Sequence, residues 1–197
     1  MKRKGIILGL GLLLLFVTGC ETPNNSKKDT TKKEGTKTEE KKVEEPKVTT
    51  KTITSTDGHF TLDVNDTWEQ LKQGDLNKSA TLEIGSADNN KIVKYGMILP
   101  DDSANFESFD TWYNTVIQSA STSYKFDVNT VQDVTINGYE AKYVTYNTTS
   151  SGYVFYMRAY YVKGTKYYSQ MYFWTVASEK DKLDPEFIEM ANSYKEV

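Results

Sequence analysis

Apolar residues along this 197-residue chain follow three different patterns. Residues 5–19 form one apolar run, residues 21–52 carry few apolar side chains, and residues 53–197 show short stretches that repeat every two or about every 3.6 residues. A period of two is typical of a strand with one buried face, and the longer period is typical of an amphipathic helix. The pattern therefore predicts a leader (1–19), a polar connector beginning at Cys20 (20–52) and one folded domain (53–197).

The first half of the domain is predicted to be mainly strand. Residues 51–55 and 60–64 alternate between apolar and polar side chains, and Asp57-Gly58 between them is a hairpin turn signal. Further strands are expected at residues 81–85 and at residues 92–99, where Pro100 should end the strand. Residues 68–71 fit a short strand or one turn of helix.

Two helices are predicted from the longer period. The first has a Ser108 cap, Asp110 in its first turn and an apolar stripe formed by Phe109, Trp112, Tyr113, Val116, Ile117 and Ala120. The second is expected to start with Asp184 as N-cap and Pro185 at the first helical position. Its apolar face would then consist of Phe187, Ile188, Ala191 and Tyr194.

Between these helices the sequence predicts an antiparallel meander. Asn137-Gly138 is the strongest turn signal, and it would place Ile136 opposite Tyr139 and Asp133 opposite Lys142. Turns are also expected at Ser151-Gly152 and at Gly164-Thr165. A two-residue loop at the latter would pair the residues Tyr161 with Tyr168, Met157 with Tyr172 and Phe155 with Trp174.

The strand at residues 153–163 has apolar side chains on both faces, with Val154, Tyr156, Tyr160 and Val162 on one of them. A sheet that is apolar on both sides needs cover on both sides. The predicted fold class is therefore α+β, an antiparallel β-sheet of about six to eight strands sandwiched by one helix on each face.

The leader combines a positive cluster at residues 2–4 with the apolar run and ends in Val17-Thr18-Gly19-Cys20. The run is shorter than the roughly 20 residues that a spanning helix needs, and it is typical of a signal peptide. Its last four residues resemble the bacterial lipobox. The resemblance implies that Cys20 receives a diacylglyceryl group and becomes the first residue of a mature lipoprotein, held at the outer face of the cytoplasmic membrane. Cys20 is the only cysteine, so the domain has no thiol for disulfides or catalysis.

The connector is rich in Thr, Lys and Glu, and residues 21–52 contain nine lysines and seven acidic residues. Such a composition buries too little apolar surface to fold. A flexible chain of this length has a root-mean-square span of roughly 30 Å. We interpret it as a solvated tether, and the alternative is a basic segment that binds anionic head groups.

The domain as a whole resembles the PsbP-like superfamily, which includes bacterial lipoproteins of the LpqN and DcrB type. The residues that carry the resemblance are the strand Phe60-x-Leu62-x-Val64 followed by Trp68, the helix around Trp112, the stretch Val134 to Ala141, and the segment Asp184-Pro185-Glu186-Phe187. The usual Pro-x-x-Trp is Asn65-Asp66-Thr67-Trp68 in this chain. The resemblance implies a fold and a mainly binding or assembly role, because the members of the superfamily share no common chemistry. Its lipoprotein members also point to a Gram-positive cell.

Candidate chemistry is sparse, and no cofactor is expected. The sequence contains one histidine, His59, and no G-x-S-x-G, P-loop or H-E-x-x-H motif. A metal site at Asp57 and His59, or hydrolysis by a carboxylate pair, remains open; the carboxylates are Asp57, Asp63, Asp66, Asp101 and Asp102. The domain carries 12 basic and 20 acidic residues, so nucleic acid is not an expected partner.

The aromatic residues suggest a partner surface. Ten of the fourteen tyrosines lie between Tyr139 and Tyr172, and Arg158, the only arginine of the domain, is flanked on its strand face by Tyr156 and Tyr160. Tyrosine and arginine dominate interface hot spots, so these three residues are the predicted partner-binding residues. The alternative is that the rings pack under a helix while Arg158 pairs with an acid.

Together these observations predict a lipid-anchored extracytoplasmic binding or assembly module with no catalytic activity. Its partners would be the membrane, through the lipid anchor, and an unidentified protein or cell-envelope component. The alternatives are an envelope hydrolase that acts through paired carboxylates and a transport-associated ligand-binding lipoprotein.

Overall fold

The computed structural model describes residues 49–86 and 92–197, which form two antiparallel sheets and two α-helices. The leader, Cys20 and most of the connector lie outside the described residues. The strands are β1 (Thr50–Thr54), β2 (Phe60–Asn65), β3 (Trp68–Gln70), β4 (Leu82–Ser86), β5 (Lys94–Asp102), β6 (Gln132–Ile136), β7 (Tyr139–Ser150), β8 (Tyr153–Lys163), β9 (Tyr167–Val176) and β10 (Lys195–Glu196). The helices are α1 (Phe109–Tyr124) and α2 (Lys180–Asn192).

The main sheet has seven strands in the order β3-β4-β5-β9-β8-β7-β6, and a second sheet has three strands in the order β1-β2-β10. Helix α1 packs on one face of the main sheet through Phe109, Trp112 and Ile117. Helix α2 and the small sheet cover the other face through Phe187 and Phe60. The predicted α+β class with a helix on each face is therefore confirmed, and the small sheet is an additional covering element.

Helix α1 follows its sequence pattern closely. The Ser108 hydroxyl caps it by accepting a hydrogen bond from the Thr111 backbone N–H at 3.1 Å. Phe109, Trp112, Ile117 and Ala120 are buried, as the apolar stripe predicts. Neither α1 nor α2 is both long and apolar enough to cross a membrane.

The Asn137-Gly138 hairpin is also confirmed. Both residues have positive φ, 45° and 86°, and Ile136 pairs with Tyr139 as predicted. Asp133 lies opposite Lys142, and the Lys142 Nζ is 2.6 Å from Asp133 Oδ1. The local turn signal thus determines the register of two strands.

The predicted register of β8 and β9 is wrong by two residues. Tyr161 pairs with Gln170, Met157 with Trp174 and Phe155 with Val176, because the connection is longer than the two residues expected. Its backbone is held by the side chain of Glu196, whose oxygens accept hydrogen bonds from the N–H groups of Thr165 and Lys166 at 2.5 and 2.6 Å. A shift of two residues leaves every side chain on its predicted face.

Strand β5 does not end at Pro100 but continues to Asp102. The Ile98 carbonyl accepts a hydrogen bond from the Thr81 N–H, on the β4 side. The N–H and C=O groups of successive strand residues point to opposite sides, so the backbone nitrogen of Pro100 points to the same side as that of Ile98, toward β4. Strand β4 has ended at that level. The proline therefore removes no ladder hydrogen bond.

Helix α2 begins at Lys180, four residues before the predicted cap, and contains Pro185. Asp184 is therefore not the N-cap of α2, because a 3-10 turn (Ala177–Glu179) leads directly into the helix. The Asp184 carboxylate binds Arg158 instead. Ile188 is exposed instead of buried, and so is Val154 on β8.

Candidate functional site

The predicted partner-binding residues lie together on one face of β8, beneath α2. Tyr156, Arg158 and Tyr160 are 3%, 8% and 3% exposed. The Arg158 guanidinium forms a bidentate pair with the Asp184 carboxylate, with Nε 2.6 Å from Oδ1 and Nη2 2.7 Å from Oδ2. The alternative in which Arg158 pairs with an acid under a helix is therefore the arrangement observed.

Three tyrosines complete this cluster. The Tyr156 hydroxyl donates to Asp184 Oδ1, and Arg158 Nη1 donates to the Tyr160 hydroxyl at 3.3 Å. The guanidinium carbon also lies 5.2 Å from the centre of the Tyr143 ring. Burial raises the pKa of Asp184, but the hydrogen bonds from Arg158 and Tyr156 outweigh it and hold that pKa below 3.8.

This geometry changes what the three residues can do. Each hydrogen-bonding group of Arg158 named above faces a group of the same chain, and none of the three side chains is at an accessible surface. A partner could reach them only if α2 left the sheet. We therefore assign Tyr156, Arg158 and Tyr160 to holding α2, and these predicted partner-binding residues are buried instead of lying at the surface.

A second ionic contact fastens the next turn of α2 to the sheet. Lys94 on β5 is 3% exposed, and its Nζ lies 3.1 Å from Glu186 Oε1 and 4.4 Å from the centre of the Trp68 ring. Glu186 Oε1 also accepts hydrogen bonds from the Trp68 indole N–H and from Asn65 Nδ2. Burial lowers the pKa of Lys94, and the charge of Glu186 opposes that shift.

Sequence reasoning missed this contact, although it involves the segment that departs from Pro-x-x-Trp. Asn65 stands at the proline position, and its Oδ1 accepts a hydrogen bond from the Thr67 backbone N–H at 2.9 Å. The Thr67 hydroxyl in turn accepts a hydrogen bond from Lys94 Nζ at 2.5 Å. The available signal was a lysine next to the apolar stretch at residues 95–99.

Glu83 is a third buried charge that the sequence pattern did not single out. It is 2% exposed and is the second residue of β4. Its two carboxylate oxygens accept hydrogen bonds from the backbone N–H groups of Gly74, Asp75, Leu76 and Asn77 at 2.6 to 3.1 Å. The carboxylate thus binds a loop to the sheet. An acid between Leu82 and Ile84 was the signal for such a role.

Each candidate catalytic carboxylate accepts a hydrogen bond from a neighbouring group. Asp57 accepts from the Ser55 hydroxyl at 2.5 Å and from the His59 backbone N–H at 3.1 Å. The other donors are Thr52 to Asp63, Thr49 to Asp66, Trp112 to Asp101 and Ala104 to Asp102. Such bonds fix turns and strand ends. Within residues 49–86 and 92–197, no three His, Cys, Asp or Glu side chains are grouped as metal ligands.

One accessible concave surface of the described residues lies at the β6–β7 hairpin. It is an open depression of about 580 Å³ lined by Asp133, Val134, Thr135, Glu140, Ala141 and Lys142. The ion pair between Asp133 and Lys142 lies across it. The depression is shallow and polar, unlike the mostly apolar clefts that hold small ligands.

Comparisons with known proteins support the fold. No protein-family profile and no curated protein sequence matches the chain. Among solved structures it is similar to LpqN, involved in cell envelope biogenesis of Mycobacterium tuberculosis (12% identity, TM-score 0.51, 76% of this chain and 91% of that one). It is also similar to cyanobacterial PsbP from Synechocystis, at 8% identity and a TM-score of 0.52, and the match covers 76% of this chain and 94% of that one.

A protein from Bacteroides thetaiotaomicron is similar as well, at 11% identity and a TM-score of 0.53. The match covers 75% of this chain but 48% of that protein, so this chain spans about half of its length. The chain therefore has a PsbP-like fold, as the sequence resemblance implied.

Proposed function

We propose that this chain is a lipid-anchored, non-catalytic binding or assembly module at the outer face of a bacterial cytoplasmic membrane. The observation that carries the proposal is Val17-Thr18-Gly19-Cys20, directly after a positive cluster and an apolar run. Two acyl chains on one cysteine provide stable anchoring, whereas a single chain binds reversibly. The polar connector would hold the domain near the membrane while allowing it to reorient.

The fold and the buried charges support the proposal that the domain is a non-catalytic binding or assembly module. LpqN, which has a similar fold, is described as involved in cell envelope biogenesis. Arg158, Lys94 and Glu83 all bind groups of their own chain, so the charged side chains inside the domain serve its architecture. A partner would then be bound by the outer surface, in a cell that we propose to be Gram-positive.

The anchoring is tested by the Cys20→Ala variant, produced with the native chain in a bacterial host and labelled with radioactive palmitate. The native chain should take up label and fractionate with the membrane. The variant should take up none and should appear in the medium or as unprocessed precursor. Ser26→Ala, a change in the connector that keeps Cys20, should behave like the native chain. Palmitate labelling and membrane attachment of Cys20→Ala would refute the anchor.

The non-catalytic role is tested by two measurements: the capture of an envelope partner and the cleavage of wall polymers. Full-length chain is cross-linked in whole envelopes, and wall polymers incubated with the purified chain are analysed for cleavage. We expect a captured envelope component and no cleavage. Cleavage that disappears in Asp101→Asn or Asp57→Asn would show that the chain is a hydrolase.

A further inference from the structure

The outer side of β7 is open over half of its length. Strand β6 pairs with Tyr139 to Tyr143 only, whereas β7 continues to Ser150. In the part of the chain that the structure describes, no backbone group forms a hydrogen bond with the outer side of residues 144–150. We call residues 145–149 the β7 edge.

The two turns that flank β7 determine which backbone groups point outward. Both are two-residue turns whose residues have positive φ, the type I′ hairpin geometry. In this geometry the residues next to the turn bond to each other, so Tyr139 points toward β6 and Ser150 toward β8. Because the direction alternates, the N–H and C=O groups of Thr145, Asn147 and Thr149 point outward.

The β7 edge lacks charged residues and proline, two of the usual protections against pairing. Proteins block open edges with charges, proline, bulges or a covering segment. Residues 144–157 contain no charged residue and no proline, although 26% of the whole chain is charged. The side chains of Thr145, Asn147 and Thr149 are exposed. The edge is therefore available as a template for another strand.

We propose that the β7 edge pairs with the same edge of a second copy of this chain, antiparallel and with a two-fold axis at Asn147. Asn147 then lies opposite Asn147 of the second copy, and Thr145 lies opposite Thr149. All six outward backbone groups of each copy are paired in this register, and a shift in either direction leaves some of them unpaired. No like charges meet, and Thr–Thr cross-strand pairs are favourable.

The self-complementary pattern is the reason for choosing a second copy as the occupant. An isologous contact requires that the same residues serve both partners, and the β7 edge provides equal numbers of donors and acceptors about its central residue. The contact is smaller than the roughly 1,200–2,000 Å² of a stable interface, so the dimer should be weak and concentration-dependent. The pairing does not depend on the proposed anchor.

Thiol cross-linking of the purified full-length chain in detergent tests this register. In Asn147→Cys the two thiols should lie on directly opposed residues, whose Cα atoms are about 5.5 Å apart in such a pair. A short bismaleimide should therefore give covalent dimer. The matched control is Thr145→Cys, whose two copies would be about 14 Å apart, and it should give no more dimer than the native chain, which has Cys20 only.

A second set of variants separates this pairing from random collision. The double variant T145C/T149C should restore the cross-linked dimer, and adding Asn147→Lys should abolish it, because two lysines would lie opposite each other. Equal cross-linking of Asn147→Cys and Thr145→Cys would overturn the proposal. So would the absence of dimer from Asn147→Cys.

Discussion

At the scale of single residues, Asp184 has the clearest energetic role, because it neutralises the buried guanidinium of Arg158. The Asp184→Asn variant keeps the shape of the side chain but leaves that charge without a counterion. Breaking a buried pair in this way costs several kcal/mol, and we expect the free energy of unfolding to fall by about 3 kcal/mol. Urea denaturation measures it.

The matched control for this change is Glu189→Gln, an acid-to-amide substitution at an exposed position of the same helix. It should alter the free energy of unfolding by no more than about 0.5 kcal/mol. Equal effects of the two substitutions would show that the Arg158 pair does not hold α2.

Asp184 should also make stability depend on acid pH. Burial raises its pKa, the hydrogen bonds from Arg158 and Tyr156 lower it, and the pKa in the folded chain lies below 3.8. A carboxyl group whose pKa is depressed on folding stabilises the folded state above its unfolded pKa, and this contribution is lost as the pH falls through the folded pKa. Between about pH 7 and pH 3 the native chain should therefore lose more stability than Asp184→Asn. Urea midpoints across this range measure the difference, and parallel curves would contradict it.

At the scale of elements, Glu83 should determine whether residues 74–77 stay on the sheet. In Glu83→Gln one carboxylate oxygen becomes an NH₂ group, which cannot accept from the backbone N–H groups it would face. Leaving buried donors unsatisfied costs about 1–3 kcal/mol. Hydrogen exchange of these four amides should accelerate, whereas Glu69→Gln, at an exposed position of β3, should leave it unchanged.

The close approach of β5 and β9 depends on Gly96, which lies opposite Phe173. A Cβ at Gly96 would meet the Phe173 ring at 2.8 Å and the Ile84 side chain at 3.0 Å, and both of these side chains are fully buried. Gly96→Ala should lower the free energy of unfolding by about 1–3 kcal/mol, measured by urea denaturation. A Cβ at Gly85 on the neighbouring strand would meet the Leu71 and Tyr95 side chains at 3.2 Å, farther away than the contacts at Gly96, so Gly85→Ala should cost less. The reverse order would contradict the packing described.

The elements also show how far the sequence could predict this fold. The Asn137-Gly138 hairpin and helix α1 were predictable because a turn or a cap a few residues away determines them. The β8–β9 register was not, because Glu196, about thirty residues further along the chain, holds the connection.

For the Arg158 cluster, the sequence predicted which residues group together but not whether they are exposed. A period of two placed Tyr156, Arg158 and Tyr160 on one face, but it contains no information on what covers that face. The cover depends on Asp184, which the local pattern assigned to a helix cap. Local patterns thus specify which residues group together, and long-range contacts specify whether the group is exposed.

At the scale of the whole molecule, the charge distribution predicts that the chain does not bind an anionic membrane without the proposed lipid anchor. Residues 21–52 carry nine lysines and seven acids, and residues 53–197 carry 12 basic and 20 acidic residues. An anionic bilayer should repel such a domain, and the interleaved acids of the connector offset its lysines. A chain of residues 21–197 should therefore stay in solution when phosphatidylglycerol vesicles are floated at low ionic strength.

A connector with fewer acids provides the positive control for this experiment. Replacing Glu39, Glu40, Glu44 and Glu45 with Gln removes four of its seven acids, and each basic residue near an anionic surface contributes about 1 kcal/mol. That variant should float with the vesicles and be released by salt, because counterions screen the attraction. If the unmodified chain of residues 21–197 floats in the same salt-sensitive way, the connector is a membrane-binding segment and not only a spacer.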